Sequence, residues 1–181
     1  MKTNTKKMVV MAMLSAISVI LVMLIRVPWI GAGFLEYDPA DVPILVATLI
    51  YGPCAGLTVT FVVSVIQGLT VSSGSGIIGI IMHILATGSY VFFTGNIYKR
   101  TKNIKGLIVS LCFGALVSTL FMLLWNVWFT PLFMKVPTEV VVKMLIPTII
   151  PFNIIKTFGN GALAGLVFAI LKKTDILNKN S

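Results

Sequence analysis

Apolar residues fill this chain in long runs, separated by short polar stretches and by glycine- and proline-rich breaks. The run from Met8 to Val27 predicts a first helix long enough to cross a bilayer, at about 20 residues per span. The next stretch, Pro28 to Ala40, sets the helix breakers Gly31, Gly33 and Pro39 among Trp29, Phe34, Leu35 and Tyr37. It is too apolar for a solvated linker and reads as an outer loop that folds back over the bundle. Asp41 to Tyr51 is apolar but brief: at 1.5 Å per residue a helix there rises about 16 Å, short of a hydrocarbon core about 30 Å thick. Gly52 and Pro53 end it, and a further short run, Cys54 to Thr70, follows. The second and third helices therefore predict a short hairpin, with a turn that protein or water must cover. After a flexible Ser72–Gly76 loop, Ile77 to Tyr98 and Gly106 to Phe129 predict helices four and five. Thr130 to Lys143 reads as an outer loop, and Leu145 to Leu171 as helix six. Its Pro147 and Pro151 fall in the first turns, where a missing amide donor matters least.

The pattern as a whole predicts an all-α integral membrane protein. It has six transmembrane helices in one domain over residues 1–181, a short second/third helix hairpin, and an outer first loop covering a ligand site. Composition agrees: of 181 residues, 57% are hydrophobic and 10% charged, with a mean hydropathy of +1.03, where a soluble domain carries about 25% charged residues. A net charge of +9 raises nucleic acid as a partner, but the placement of the charges excludes it. Ten of the 14 basic residues sit at the ends of apolar runs: Lys2, Lys6 and Lys7; Lys99, Arg100, Lys102 and Lys105; Lys172, Lys173 and Lys179. Only Asp175, of the acids, lies among them. That is the positive-inside pattern, and it predicts a cell-membrane protein with cytoplasmic N- and C-termini. The run after the basic N-terminus is long enough to span and lacks a convincing cleavage site, so it reads as a retained helix and not a signal peptide. Cys54 and Cys112 lie in unrelated apolar segments and predict neither a disulfide nor a metal site.

Catalysis has little to stand on. The chain carries no HExxH, no Gly-x-Ser-x-Gly elbow and no phosphate-binding glycine loop, and its one histidine, His83, has no acid beside it in sequence. The expectation is a protein that is not an enzyme and holds no cofactor. Binding has more support, and Lys156 is its centre. It lies inside the apolar run from Thr148 to Leu171, where a charge costs about 2.5–3.5 kcal/mol on insertion scales. Asn153, Lys156 and Asn160, at i, i+3 and i+7, share one helical face. Lipid cannot satisfy that stripe, so it predicts a pocket or a facing helix. Trp125, Asn126 and Trp128 on helix five, His83 on helix four and loop residues Phe34, Glu36 and Tyr37 fall near the same end. Aromatic faces with a few fixed donors suit a planar heteroaromatic ligand bearing hydroxyls. Blander readings stand beside these. Trp125 and Trp128 fit an interfacial belt, His83 a packed residue bonded to a carbonyl, and Glu36, Asp38 and Asp41 solvated loop charges, with Asp41 the N-cap of helix two. Ala12 and Ala16, four apart on helix one, allow close helix approach, either within the bundle or to a partner.

Three stretches carry a family resemblance. Phe34-Leu35-Glu36-Tyr37-Asp38-Pro39-Ala40-Asp41-Val42-Pro43 leading into Tyr51-Gly52-Pro53-Cys54-Ala55-Gly56-Leu57, together with Pro151-Phe152-Asn153-Ile154-Ile155-Lys156, is similar to the riboflavin-specific substrate-binding subunit, or S component, of energy-coupling factor (ECF) transporters. Ala12-x-x-x-Ala16 resembles the motif by which S components meet their coupling subunit. The resemblance implies riboflavin captured from outside, with a transmembrane coupling subunit and two cytoplasmic ATPases as partners. It also implies flavin contacts at Asn153, Lys156, Asn126 and Leu35–Tyr37, with Gly79 and His83 added by their place on helix four, and docking through Ala12 and Ala16. An S component for another vitamin, such as thiamine or a pyridine derivative, is the nearest alternative. A self-sufficient small transporter and a membrane scaffold are more distant ones, and the Asn–Lys stripe argues against the scaffold.

Overall fold

The computed structural model describes residues 2–30 and 32–174, with side chains from residue 5 onward. Gly31 of the first loop and the C-terminal Asp175 and Lys179 of the charge pattern lie outside the described residues. The chain runs α1 (Lys2–Leu24), β1 (Val27–Trp29), β2 (Ala32–Tyr37), α2 (Asp41–Tyr51), α3 (Pro53–Leu69), a 3-10 turn (Ser73–Ser75), α4 (Gly76–Thr101), α5 (Ile104–Met134), α6 (Thr138–Met144), a π turn (Leu145–Ile149) and α7 (Ile150–Lys173). Among the described residues four helical stretches are long and apolar enough to cross a membrane: Thr5–Leu24, Ser73–Thr101, Ile104–Met134 and Thr138–Lys173. The two shorter apolar helices are Asp41–Tyr51 and Pro53–Leu69.

Two expectations need correction. The first loop is not irregular coil in an all-α protein: β1 and β2 pair antiparallel, Val27 opposite Tyr37 and Pro28 opposite Glu36, with an irregularity between Pro28 and Trp29. A lone hairpin is marginal in water. This one is held because Ala32 and Leu35 are buried against Val141, Ile149 and Phe152, with Trp29 packed alongside. Nor is Thr130–Lys143 a loop. The fifth helix continues to Met134 with Pro131 inside it, and α6 begins at Thr138. A proline so near a helix end removes a single amide bond. The turn before it is tied by Thr130 donating to the Asn126 side-chain oxygen at 2.8 Å.

The core sits where α2, α3, α4 and α7 meet, around Ile44, Leu45, Val59, Val63, Tyr90, Val91 and Ala164. The α2–α3 turn needs Gly52, whose φ of +89° is a conformation that side-chain-bearing residues rarely adopt. Gly161 lets α7 close on α4: a Cβ there would lie 2.1 Å from the Tyr90 hydroxyl. That hydroxyl donates to the Thr157 carbonyl at 3.1 Å. The basic ends gather on the side away from the β-hairpin, where Lys7 lies over the Tyr51 ring and Lys172 donates to the Lys102 carbonyl.

Candidate functional site

A cavity opens beneath the hairpin, between α3, α4, α5 and α7, with about 190 Å³ of room for the centres of water molecules. Its position follows from the local chemistry of each wall. The π turn carries Pro147, and Pro151 enters the first turn of α7. Such a turn widens the helix and is often found at functional sites. Asn153 donates its side-chain amide to the Ile149 carbonyl at 2.8 Å and its backbone carbonyl accepts from the Thr157 hydroxyl at 2.8 Å, while among the described residues nothing donates to its side-chain oxygen. Phe152, Asn153, Lys156 and Thr157 then line the cavity from α7. From α5 come Ser118, Met122, Asn126, Thr130 and Phe133. Asn126 is fully buried and already spends its amide on the Met122 carbonyl at 2.7 Å.

Lys156 does not wait alone for a ligand. Its ammonium donates to the Asp38 carboxylate at 2.8 Å, and the Asp38 side chain also accepts from the Ala40 amide at 3.0 Å. Burial disfavours the Asp38 carboxylate, but the Lys156 charge and these two hydrogen bonds outweigh it and hold its pKa below the ordinary carboxylate value. Tyr37 is shifted the other way, upward, first by burial and then by the Asp38 charge. Asn160, with no exposure at all, donates to the Asp38 carbonyl at 3.0 Å and to the Asp41 carboxylate at 3.1 Å. Thr87 on α4 donates to the other Asp41 oxygen at 2.7 Å. The stripe on α7 is thus satisfied largely by acids at the start of α2. Arg26, at the end of α1, closes the opposite rim: it pairs with Glu36 and donates to the Val71 carbonyl at 2.7 Å.

Of the residues singled out from sequence, the fold brings Leu35, Glu36, Gly79, His83, Asn126, Asn153 and Lys156 onto one cavity wall or another. Tyr37 is not on it; its hydroxyl donates to Asn160 at 3.0 Å. Trp125 and Trp128 are not on it either, and Trp128 is 71% exposed, as an interfacial belt residue would be. The aromatic lining comes from Phe34, which the sequence also singles out, and from Tyr90, Phe133 and Phe152. Asp38 and Asp41 are not solvated loop charges, being 3% and 5% exposed, and the N-cap of α2 is Ala40, with Asp41 inside the first turn. His83 bonds Ser64 at 2.7 Å and not a carbonyl. Ser64, Gln67, Thr87 and Ser118 were missed; scattered hydroxyls and a lone amide on apolar helices have no spacing to betray them. Ala12 and Ala16 are exposed on the outer face of α1, while Ser15 and Ser18 face inward and are buried.

Residues 6–171 match the family described as "ECF transporter, substrate-specific component". The chain belongs to this family. Relatives of this substrate-specific component include the riboflavin transporter FmnP of Bacillus subtilis, 33% identical, the alignment covering 93% of each chain. The riboflavin transporter RibU of Staphylococcus aureus is 31% identical, over 93% of this chain and 89% of the relative. A solved S component of a bacterial ECF transporter superposes with a TM-score of 0.82 at 29% identity, covering 94% of this chain and 98% of that one. The ECF family is thus established over nearly the whole chain, and the cavity lies within the matched span.

Proposed function

We propose that this chain is the riboflavin-binding subunit of an ECF vitamin importer. In this reading it is not an enzyme. It captures riboflavin in the cavity beneath the hairpin and passes it on through a transmembrane coupling subunit driven by two cytoplasmic ATPases. One observation carries the reading: a largely buried Asn–Lys face on α7 shares an aromatic-lined cavity with Asn126, in a chain 33% identical to a protein named a riboflavin transporter. In it, the open Asn153 oxygen and the Lys156 ammonium meet the polar edge of the flavin and the ribityl hydroxyls. Phe34, Tyr90, Phe133 and Phe152 pack its ring faces. Leu35, Glu36 and the Gly79 and His83 wall complete the contacts, and Tyr37 acts indirectly through Asn160.

The same reading sets α1, α4, α5 and α7, with α2 and α3 as a shorter pair, as six membrane-embedded helices. The hairpin faces outward and both termini face the cytoplasm, where the basic ends would lie. The exposed Ala12–Ala16 face of α1 is free to meet the coupling subunit, since small residues permit close helix approach. The test is colour: protein purified from riboflavin-containing medium should be yellow, and stripped protein should quench added riboflavin fluorescence. A colourless preparation that leaves riboflavin fluorescence unchanged overturns riboflavin as the ligand and directs the search to thiamine or pyridine vitamins.

A further inference from the structure

A second cavity lies at the basic end of the bundle, where α4 ends, α5 begins and α7 ends, with about 240 Å³ of room for the centres of water molecules. Its buried lining is apolar: Tyr98, Leu107 and Phe168 pack in one cluster, and the Tyr98 and Phe168 rings meet edge-on at 5.4 Å. Its exposed lining is Asn103, Ile104, Lys172 and Lys173. Tyr98 is only 7% exposed, yet among the described residues nothing hydrogen-bonds its hydroxyl. A buried hydroxyl is normally bonded, so a polar group is missing from this cavity.

Charge at the mouth has one sign. Lys172 and Lys173 end α7 and Lys99 and Arg100 end α4, with Lys102 and Lys105 at the turn into α5. The described acids lie elsewhere: Glu36, Asp38 and Asp41 line the first cavity, and Glu139 is in the first turn of α6. The helix dipole ordinarily accounts for a lysine in a last turn. It does not account for Lys172 and Lys173 sharing a cavity with Asn103 and Ile104, the positive start of the 31-residue α5. Asn103 occupies two amides there, its side chain accepting from Gly106 at 2.6 Å and its carbonyl from Leu107 at 2.9 Å. The amides of Ile104 and Lys105 have no partner within the helix. Lys172 donates to the Lys102 carbonyl at 3.2 Å, and Lys173 has no acid partner among the described residues. An anion relieves this convergence of positive charge, while the apolar interior suits a hydrocarbon chain and not a free ion.

We propose that this second cavity binds an anionic phospholipid. Its phosphate sits at Lys172, Lys173 and the start of α5, and part of an acyl chain lies against Tyr98, Leu107 and Phe168. Basic pockets between membrane helices suit such headgroups. The site stands whichever vitamin occupies the first cavity.

The test titrates the detergent-purified chain with phosphatidylglycerol or with phosphatidylcholine of the same acyl chains, read by native mass spectrometry and by melting temperature. Phosphatidylglycerol should be retained and should raise the melting temperature; phosphatidylcholine should do neither. Lys172→Gln with Lys173→Gln should weaken phosphatidylglycerol retention about tenfold. Ala169→Phe, which fills the slot and leaves every charge in place, should also weaken it several-fold. Lys99→Gln with Arg100→Gln removes as much charge from the same end but outside the cavity, and should change retention about twofold or less. Equal retention of the two lipids overturns the proposal, and the wild type alone decides that. Equal losses from the two double variants also overturn it, leaving general attraction to an anionic surface. Inorganic phosphate that raises the melting temperature as much as the lipid does, at the same concentration, overturns the lipid as the source of the anion. If phosphatidylglycerol binds only after residues 175–181 are removed, the slot belongs to the chain's own C-terminal segment and the proposal falls.

Discussion

At the scale of single residues the site is governed by one buried ion pair. Lys156 and Asp38 side chains are 18% and 5% exposed and 2.8 Å apart. Removing one member of such a pair leaves the other charged and dry, which is strongly destabilising, whereas removing both is far milder. Lys156→Met should therefore weaken riboflavin binding more than tenfold, about 1.4 kcal/mol or more, and should also lower the melting temperature. The double variant Lys156→Met with Asp38→Asn should recover most of the melting temperature but none of the affinity. Recovery of affinity would remove Lys156 from the ligand contacts and leave it a partner of Asp38 only. The pH dependence follows from the downward shift of Asp38. Its carboxylate has a lower pKa folded than unfolded, so its stabilising contribution is complete above the ordinary carboxylate range and disappears as the pH falls through the depressed folded value. Acid melts of the wild type should show a stability loss below the ordinary range that Asp38→Asn does not show.

At the scale of elements the β-hairpin is the part most open to change. It is short, and its rim contact to the bundle passes through Arg26, which ties Glu36 of β2 to the Val71 carbonyl between α3 and α4. Both side chains of that pair are about 30% exposed, at 30% and 29%, so the pair contributes little to global stability, about 1 kcal/mol or less. Arg26→Gln should leave the melting temperature within a few degrees of wild type. It should accelerate riboflavin release several-fold in stopped-flow quenching, with faster amide exchange over residues 27–37. The turn between α2 and α3 behaves differently. Gly52→Ala forces a side chain into φ near +89° and should cost about 1 kcal/mol or more in stability, read as a lower melting temperature with riboflavin affinity little changed.

For the whole molecule, the prediction concerns work that the chain is expected not to do alone. It carries no nucleotide-binding motif, so vesicles containing only this subunit should bind riboflavin without accumulating it against a gradient. ATP-driven accumulation should require the coupling subunit and ATPases in the same membrane. Ala12→Leu with Ala16→Leu should abolish co-purification of the coupling subunit while leaving riboflavin affinity intact, because these alanines lie on the exposed outer face of α1, away from the cavity. Accumulation by the subunit alone would mark it as a self-sufficient transporter.

How much of this was legible in the chain depends on the range of the forces involved. Hydrophobic run length and helical period are local, so the apolar segments, the shortness of Asp41–Tyr51 and the common face of Asn153, Lys156 and Asn160 could be read residue by residue. The family could be read as well, from contiguous stretches around Phe34 and Pro151. The hairpin and the last turn of α5 could not. A strand of six residues with a partner of three has too little pattern of its own and forms because Phe152, Val141 and Ile149 lie beneath it. Least legible were the partners of the buried charges. That Lys156 must be satisfied is a property of its own depth in an apolar run. That Asp38 satisfies it, that Asp41 is held by Asn160 and Thr87, and that His83 is left facing a carboxylate are contacts between residues 42–119 positions apart in sequence. Chain composition states the need for such contacts, but only the packing of α2 against α4 and α7 chooses which groups meet.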